Sequence, residues 1–150
     1  MDEGSGNIVY DQCNNHGRLR SVVWCKGKNG VAPEFDGAVS RIEIPHRPYL
    51  NVRDAITIEA WIYLESLQGG QSFVSKGRGS WGSGYTFYQE NGKLILGLNT
   101  TDKPGENMKA SGFELRTESV LTAKTWIFAA VTYDCHDRTV KFYMNRVYLE

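Results

Sequence analysis

The sequence predicts an all-β fold, an antiparallel β-sandwich, and three observations carry that prediction. Ile56-Thr57-Ile58-Glu59-Ala60-Trp61-Ile62-Tyr63-Leu64 places aliphatic side chains at every even position, the period of two that puts one face of a pleated strand into a core. Asn91-Gly92 separates two strand-like runs, 85–90 and 93–98, and this dipeptide suits a type I′ hairpin turn because both central residues need positive φ. Residues 126–133 are nearly continuously apolar; Asp134-Cys135-His136-Asp137-Arg138 then breaks the run before Thr139-Val140-Lys141-Phe142-Tyr143-Met144, the pattern of a hairpin with a longer connection.

Taken in chain order, residues 1–10 open on Met1-Asp2-Glu3-Gly4-Ser5-Gly6 and are expected to be a flexible lead, with the domain proper spanning 11–150. Short strands are expected at 32–35 and 41–44, the second stopped by Pro45 and Pro48, which lack amide donors. The run 56–64 turns its even side chains inward and shows Trp61 and Tyr63 on the other face, as expected of a central sandwich strand. Strands at 72–76 and 113–117 fill the middle of the chain. Between 99 and 112 the composition turns polar, with Asp102, Lys103, Pro104, Gly105, Glu106 and Asn107, and an exposed loop is expected. No stretch of helical period with caps competes with these strands, and 12% aromatic residues with 16 glycines suit pleated strands joined by tight turns.

A chain of 150 residues fits one domain with a core of its own. Lys and Arg total 17 against 17 Asp and Glu, so no whole-molecule field draws polyanions, and nucleic acid is not an expected partner. The longest apolar stretch, 127–131, is far shorter than the ~20 residues of a bilayer-spanning helix. No membrane partner is expected. The N-terminus lacks the basic start and apolar centre of a secretory leader, so either a leader has been removed or the chain lies inside a longer protein. Cys13, Cys25 and Cys135 are odd in number and contain no C-x-x-C pair, which leaves both a Cys13–Cys25 bridge and three free thiols open. Asn99-Thr100-Thr101 is a glycosylation sequon, relevant if the chain follows a eukaryotic secretory route.

Four stretches share an order with a known family. They are Asn14-Asn15-His16-Gly17, preceded by Asp11-Gln12-Cys13; Phe35-Asp36-Gly37 with Ile42-Glu43-Ile44-Pro45; Leu50-Asn51-Val52-Arg53-Asp54-Ala55-Ile56-Thr57-Ile58-Glu59-Ala60-Trp61; and Thr125-Trp126-Ile127-Phe128-Ala129-Ala130-Val131-Thr132-Tyr133-Asp134 followed by Val140-Lys141-Phe142-Tyr143-Met144-Asn145. Together they resemble the laminin-G-like, concanavalin-A-like jelly-roll family of the pentraxin-like superfamily. The resemblance runs from Asp11 to Asn145, and its specificity lies in the ordered set rather than in any one motif. The chain departs from the family at Asn145-Arg146, where Asn-Gly is usual, at a cost of ~1 kcal/mol if the turn needs positive φ. It also stops at Glu150, before further strands that the family usually carries. The resemblance therefore implies a sandwich lacking its last C-terminal strands, with an exposed strand edge open to self-association.

The resemblance also implies a structural calcium ion, with Asp36 and Asp134 as candidate ligands. Two isolated carboxylates do not make the six to eight oxygens that calcium needs, and an Asp capping its own turn is the competing reading of Asp36. Asp54 and Asp137 are further loop acids of the same kind. Lys76-Gly77-Arg78-Gly79-Ser80-Trp81-Gly82-Ser83-Gly84-Tyr85 is the candidate ligand loop: Trp81 would stack on the C–H face of a sugar, with Tyr85, Arg78 and Lys76 reading hydroxyls. The alternative folds Trp81 back over the sandwich edge. Catalysis finds no support in the motifs. The E-x-D-x-x-E run of related β-glucanases is absent, Glu114 and Glu118 have no aspartate between them, and His16, His46 and His136 are scattered. Gly77-x-Gly79 lacks the Lys-Ser/Thr of a phosphate loop. The expected role is a non-catalytic, secreted or cell-surface recognition module that binds a glycan or an extracellular protein. An accessory domain of a larger glycosidase or sialidase, or a structural spacer, are the alternatives.

Overall fold

The computed structural model describes residues 3–52, 54–77, 84–99 and 112–149. Where the sequence predicts a flexible lead and one domain from residue 11, the chain forms two compact units, Met1–Leu50 and Asn51–Glu150.

The first unit holds β1 (Ile8–Val9), β2 (Gly17–Arg20), β3 (Val23–Lys26), β4 (Val31–Glu34) and β5 (Arg41–Glu43), then a 3₁₀ turn at Pro48–Leu50. β1, β2 and β5 form an antiparallel sheet in that order, and β3 and β4 pair as a separate hairpin. Residues 3–10 are thus tied into structure: Val9 pairs with Gly17, and Tyr10 N donates to Glu3 Oε1 at 2.8 Å. Gly17 is required by close approach, since a Cβ there would lie 2.5 Å from Ile42 Cγ2 and 2.8 Å from Val9 Cγ2. In the turn before it Asp11 Oδ1 accepts from Asn15 N, His16 Nδ1 accepts from Asp11 N at 3.2 Å, and Asn14 takes a left-handed φ of 60°. At the other edge Glu43 bonds both Arg20 and Arg41, at 2.9 and 2.7 Å, and the Arg20 bond leads in holding its carboxyl below the usual range.

The second unit is the sandwich. β6 (Ala55–Tyr63), β7 (Gly70–Lys76), β8 (Gly84–Glu90), β9 (Lys93–Asn99), β10 (Gly112–Arg116), β11 (Trp126–Asp134), β12 (Thr139–Met144) and β13 (Val147–Tyr148) make two four-stranded antiparallel sheets. The first runs β10-β9-β8-β7 and the second β13-β12-β11-β6. Phe87, Leu94, Leu96 and Leu98 from the first sheet meet Ile58, Ile127, Ala129, Val131 and Phe142 from the second, and Leu121 closes one side of this core. Every strand expected between 32 and 144 forms, within about two residues at each end, as a period-two pattern allows. β1, β2, β3 and β13 have two to four residues, too few for a periodicity to show.

β6 alternates as its sequence predicts, with Ile58 buried and Trp61 and Tyr63 exposed. Its place differs from the expectation, because it ends its sheet rather than lying in the middle, with β11 as its one ladder partner among the described residues. Alternation reports which face is inward, not how many neighbours a strand has.

Both hairpin turns have the predicted backbone. Asn91 and Gly92 have φ of 51° and 84°, and Asn145 and Arg146 have 51° and 69°. Asn145 serves its turn well: its N donates to Phe128 O at 2.8 Å and its Oδ1 accepts from Phe128 N at 3.1 Å. Arg146 is the strained member, because its Cβ crowds the following carbonyl in the left-handed region. Arg146→Gly is expected to stabilise the second unit by about 1 kcal/mol. Chemical denaturation would show it as a higher midpoint at unchanged slope.

Cys13, Cys25 and Cys135 are free thiols, so of the two cysteine readings this structure holds the second. Among the described residues no helix is long and apolar enough to cross a membrane.

Candidate functional site

The predicted ligand loop is the β7–β8 connection. Its described flanks are Lys76, the last residue of β7, and Tyr85, its cross-strand partner on β8. Arg78 and Trp81, with residues 79, 80, 82 and 83, lie outside the described residues. Gly84 fixes how the connection re-enters the sheet. A Cβ there would fall 1.8 Å from Lys76 O and 2.8 Å from Lys76 C, so only glycine fits. Tyr85 turns inward, packed against the core on the same face of β8 as Phe87 and Gln89, and burial pushes its phenol pKa up. The reader of hydroxyls expected at Tyr85 is therefore largely committed to packing.

Position 88, one pleat further along the same strand, points the other way. Register assembles the outer face of this sheet in rows. Ser75, Thr86, Gly97 and Glu114 lie across the four strands in one row, and Ser72, Tyr88, Ile95 and Arg116 in the next. The Tyr88 hydroxyl donates to Glu114 Oε1 at 3.0 Å. The Arg116 guanidinium stands between two carboxylates, 3.6 Å from Glu90 and 4.0 Å from Glu114. Lys93 and Glu118 pair beside them at 3.0 Å. Gly97 leaves no side chain between Thr86 and Glu114, and Ser72 and Ser75 are exposed at the β7 edge. The arrangement presents a donor–acceptor set on rigid strands, each group partnered and half exposed, around the buried Ile95 and Gly97.

Burial first, and then the hydrogen bond to Glu114, push the Tyr88 phenol up to about 12 from its ordinary 10.0. The hydroxyl thus remains a donor throughout the physiological range. Because its folded value is raised, Tyr88 contributes stability that is complete below pH ~10 and lost as pH rises towards 12. Ultraviolet titration should find one phenol ionising near 12 that Tyr88→Phe removes. The variant should also lose less stability than the parent over that alkaline window.

Asp36 and Asp134 fall in different units. Asp36 Oδ1 accepts from the backbone N–H groups of Ala38, Val39 and Ser40 at 2.8, 3.0 and 2.9 Å and from Ser40 Oγ at 2.7 Å. The Ser40 backbone bond leads these in holding its carboxyl far below the usual range. This is the turn-capping alternative: Oδ1 is surrounded by donors of its own turn. Asp134 Oδ1 accepts from His136 N at 2.8 Å in its own turn. Among the described residues no three His, Cys, Asp or Glu side chains gather as a metal site. As placed, the two aspartates do not fit a calcium shell.

The residues brought together on the outer face, Tyr88, Glu90, Glu114 and Arg116, were not legible as a set in the sequence. They are up to 28 positions apart and meet only through the β8–β9–β10 register. The signal available was that all four occupy strand-like runs, 85–90 and 113–117, which does not say that those runs share a face.

The family model Laminin_G_3, described as Concanavalin A-like lectin/glucanases superfamily, matches residues 36–148. A search of curated proteins finds no match.

Proposed function

The chain belongs to the concanavalin A-like lectin/glucanases superfamily, and from that premise we propose that it is a non-catalytic recognition module that binds carbohydrate in an extracellular setting. One observation carries the reading: the Tyr88–Glu114–Arg116–Glu90 network on the outer face of the β10-β9-β8-β7 sheet. Sugar hydroxyls are read by fixed donors and acceptors, and here a phenol, a guanidinium and two carboxylates are held by one another on one sheet face. The superfamily name covers glucanases as well as lectins, and two glutamates on one face invite the hydrolytic reading. A two-carboxylate hydrolase needs one of the pair to hand a proton to the glycosidic oxygen. Both carboxylates here stand beside the same guanidinium, an arrangement suited to holding sugar hydroxyls.

The test is calorimetric titration with a panel of neutral oligosaccharides, run beside a reducing-end assay on the same sugars. Weak binding is expected, because an open sheet face buries little ligand, with at least a tenfold loss in Tyr88→Phe and Glu114→Gln and no new reducing ends. Release of reducing ends that Glu114→Gln abolishes would make the chain a hydrolase. Binding of no sugar would remove the carbohydrate reading.

A further inference from the structure

We propose that the outer face of the β1-β2-β5 sheet docks an acidic segment of a partner protein, with Arg18, Arg20 and Arg41 taking its carboxylates and Ile8 and Val39 its aliphatic side chains. The face lies wholly in the first unit, and Ile8, Arg18 and Arg20 precede the stretch that the family model matches. Docking there is independent of the carbohydrate reading.

Strand pairing composes this face. Val9 and Leu19 are buried, so their strand neighbours Ile8, Arg18 and Arg20 stand outward. Register puts Ile8, Arg18 and Glu43 in one row across the three strands, and Arg20 opposite Arg41 in the next. Three guanidiniums thus share one carboxylate. Glu43 lies directly opposite Arg18, yet the other two take it: Oε2 accepts from Arg20 Nε at 2.9 Å, and Oε1 from Arg41 Nε at 2.9 Å and Nη2 at 2.7 Å. Arg18 is left with no hydrogen bond or ion pair among the described residues. Arg20 gives Glu43 only its Nε, so its two Nη groups bond nothing among the described residues. Three cations less one carboxylate leave these outward positions with a net charge of +2. The excess is local, because the whole chain balances 17 bases against 17 acids. On the outer face of the β10-β9-β8-β7 sheet, by contrast, Lys93 and Arg116 stand beside Glu90, Glu114 and Glu118.

What flanks the arginines selects the occupant. Ile8, 38% exposed, sits beside Arg18, and Val39, 59% exposed, sits beside Arg41, whose Nη1 donates to the Val39 carbonyl at 3.1 Å. The alkyl stems of the arginines add apolar surface between them. A phosphate ion or a sulfated sugar chain would satisfy the guanidiniums and leave both aliphatics in water. A peptide carries acids and aliphatic side chains on one backbone. Extended, it sets alternate side chains about 6.6 Å apart, the spacing of Arg18 and Arg20 along β2. The planar fork of a guanidinium takes a carboxylate through two bonds at once, and arginine clusters read acidic motifs in this way.

Fluorescence anisotropy at low salt tests this with the full chain and three labelled probes: a short peptide alternating Glu with Val, the same peptide with Gln for Glu, and the same with Ser for Val. A heparin disaccharide and inorganic phosphate are run beside them as competitors. The Glu-Val peptide should bind at least tenfold more tightly than the Gln-Val peptide and more tightly than the Glu-Ser peptide, with affinity falling as salt rises. Arg18→Met keeps the stem and removes the charge, and it should raise the dissociation constant fivefold or more. Glu43→Gln releases Arg20 and Arg41 and should lower it. Ile8→Thr should erase the preference for Val over Ser, and Lys141→Gln, in the other unit, should change nothing. Melting curves identify a variant that fails to fold, and Arg18→Gln then replaces Arg18→Met. Absence of binding by the Glu-Val peptide, binding that ignores Arg18→Met, or binding that Glu43→Gln fails to strengthen overturns the proposal. A heparin disaccharide or phosphate held more tightly than the peptide, and released by Arg18→Met, overturns it too, by making the face a site for sugar-borne or inorganic anions.

Discussion

Phe87→Ala is expected to destabilise the Asn51–Glu150 unit by about 3–5 kcal/mol, a large share of the roughly 5–15 kcal/mol that a folded domain holds. Phe87 is fully buried at the centre of the sandwich and meets Phe73 edge-on at 5.5 Å and 74°. Phe73 sits in the register shift between Ser72 and Val74, where the extra residue of β7 lets a third side chain reach the core. Truncating Phe87 removes apolar area and leaves a cavity that ladders on both sides prevent from collapsing. Urea unfolding followed by tryptophan fluorescence measures the loss. A change under 1 kcal/mol would mean that Phe73 swings in to fill the space, and Phe73→Ala in the double variant should then bring the missing loss back.

The second large effect is polar. Gln89→Met keeps the shape of the side chain and should still cost about 2–4 kcal/mol, because it removes the buried acceptor of Gly92 N and the donor to Gln71 Oε1. Gln89 is fully buried, with its Oε1 accepting from Gly92 N at 2.7 Å and its Nε2 donating to Gln71 Oε1 at 2.8 Å and Gly69 O at 3.2 Å. These bonds tie the Asn91-Gly92 turn to the start of β7. Asn91 Oδ1 adds another by accepting from Gly69 N at 3.2 Å. Amide exchange is the sharper readout: Gly92 N–H should lose protection in Gln89→Met, while the amides of β11 lose only what the global change dictates. Equal loss of protection throughout would show that the network has no local role in the turn.

The carbohydrate and stability predictions draw on different faces of the same strand, and β8 shows how far sequence reading reaches. Tyr85, Phe87 and Gln89 alternate with Thr86, Tyr88 and Glu90, so each face of β8 carries an aromatic and a polar residue. Composition alone cannot say which face is inward. Reading Tyr85 as a ligand residue was the natural choice from its place beside a glycine-rich loop. The core, through Phe87, turned it in and put Tyr88 outside. Gln89 is the opposite surprise, a polar side chain buried without cost because three partners meet it.

Much was legible in the linear pattern. The long strands, the positive φ at Asn91-Gly92, and the inward row from Ile56 to Ile62 all follow from local chemistry: side-chain period, turn geometry and the absence of helical spacing. The ordered motifs also sufficed for the family. What only the tertiary structure decided is everything that depends on which strand lies beside which. Register across β8, β9 and β10 brings Tyr88, Glu90, Glu114 and Arg116 to one face, and pairing of β6 with β11 lines Trp61 and Tyr63 up with Phe128 and Trp126. The physical reason is that neighbouring strands are about 4.8 Å apart in space whatever their separation in sequence, so a surface on a sheet is composed crosswise while the chain is written lengthwise.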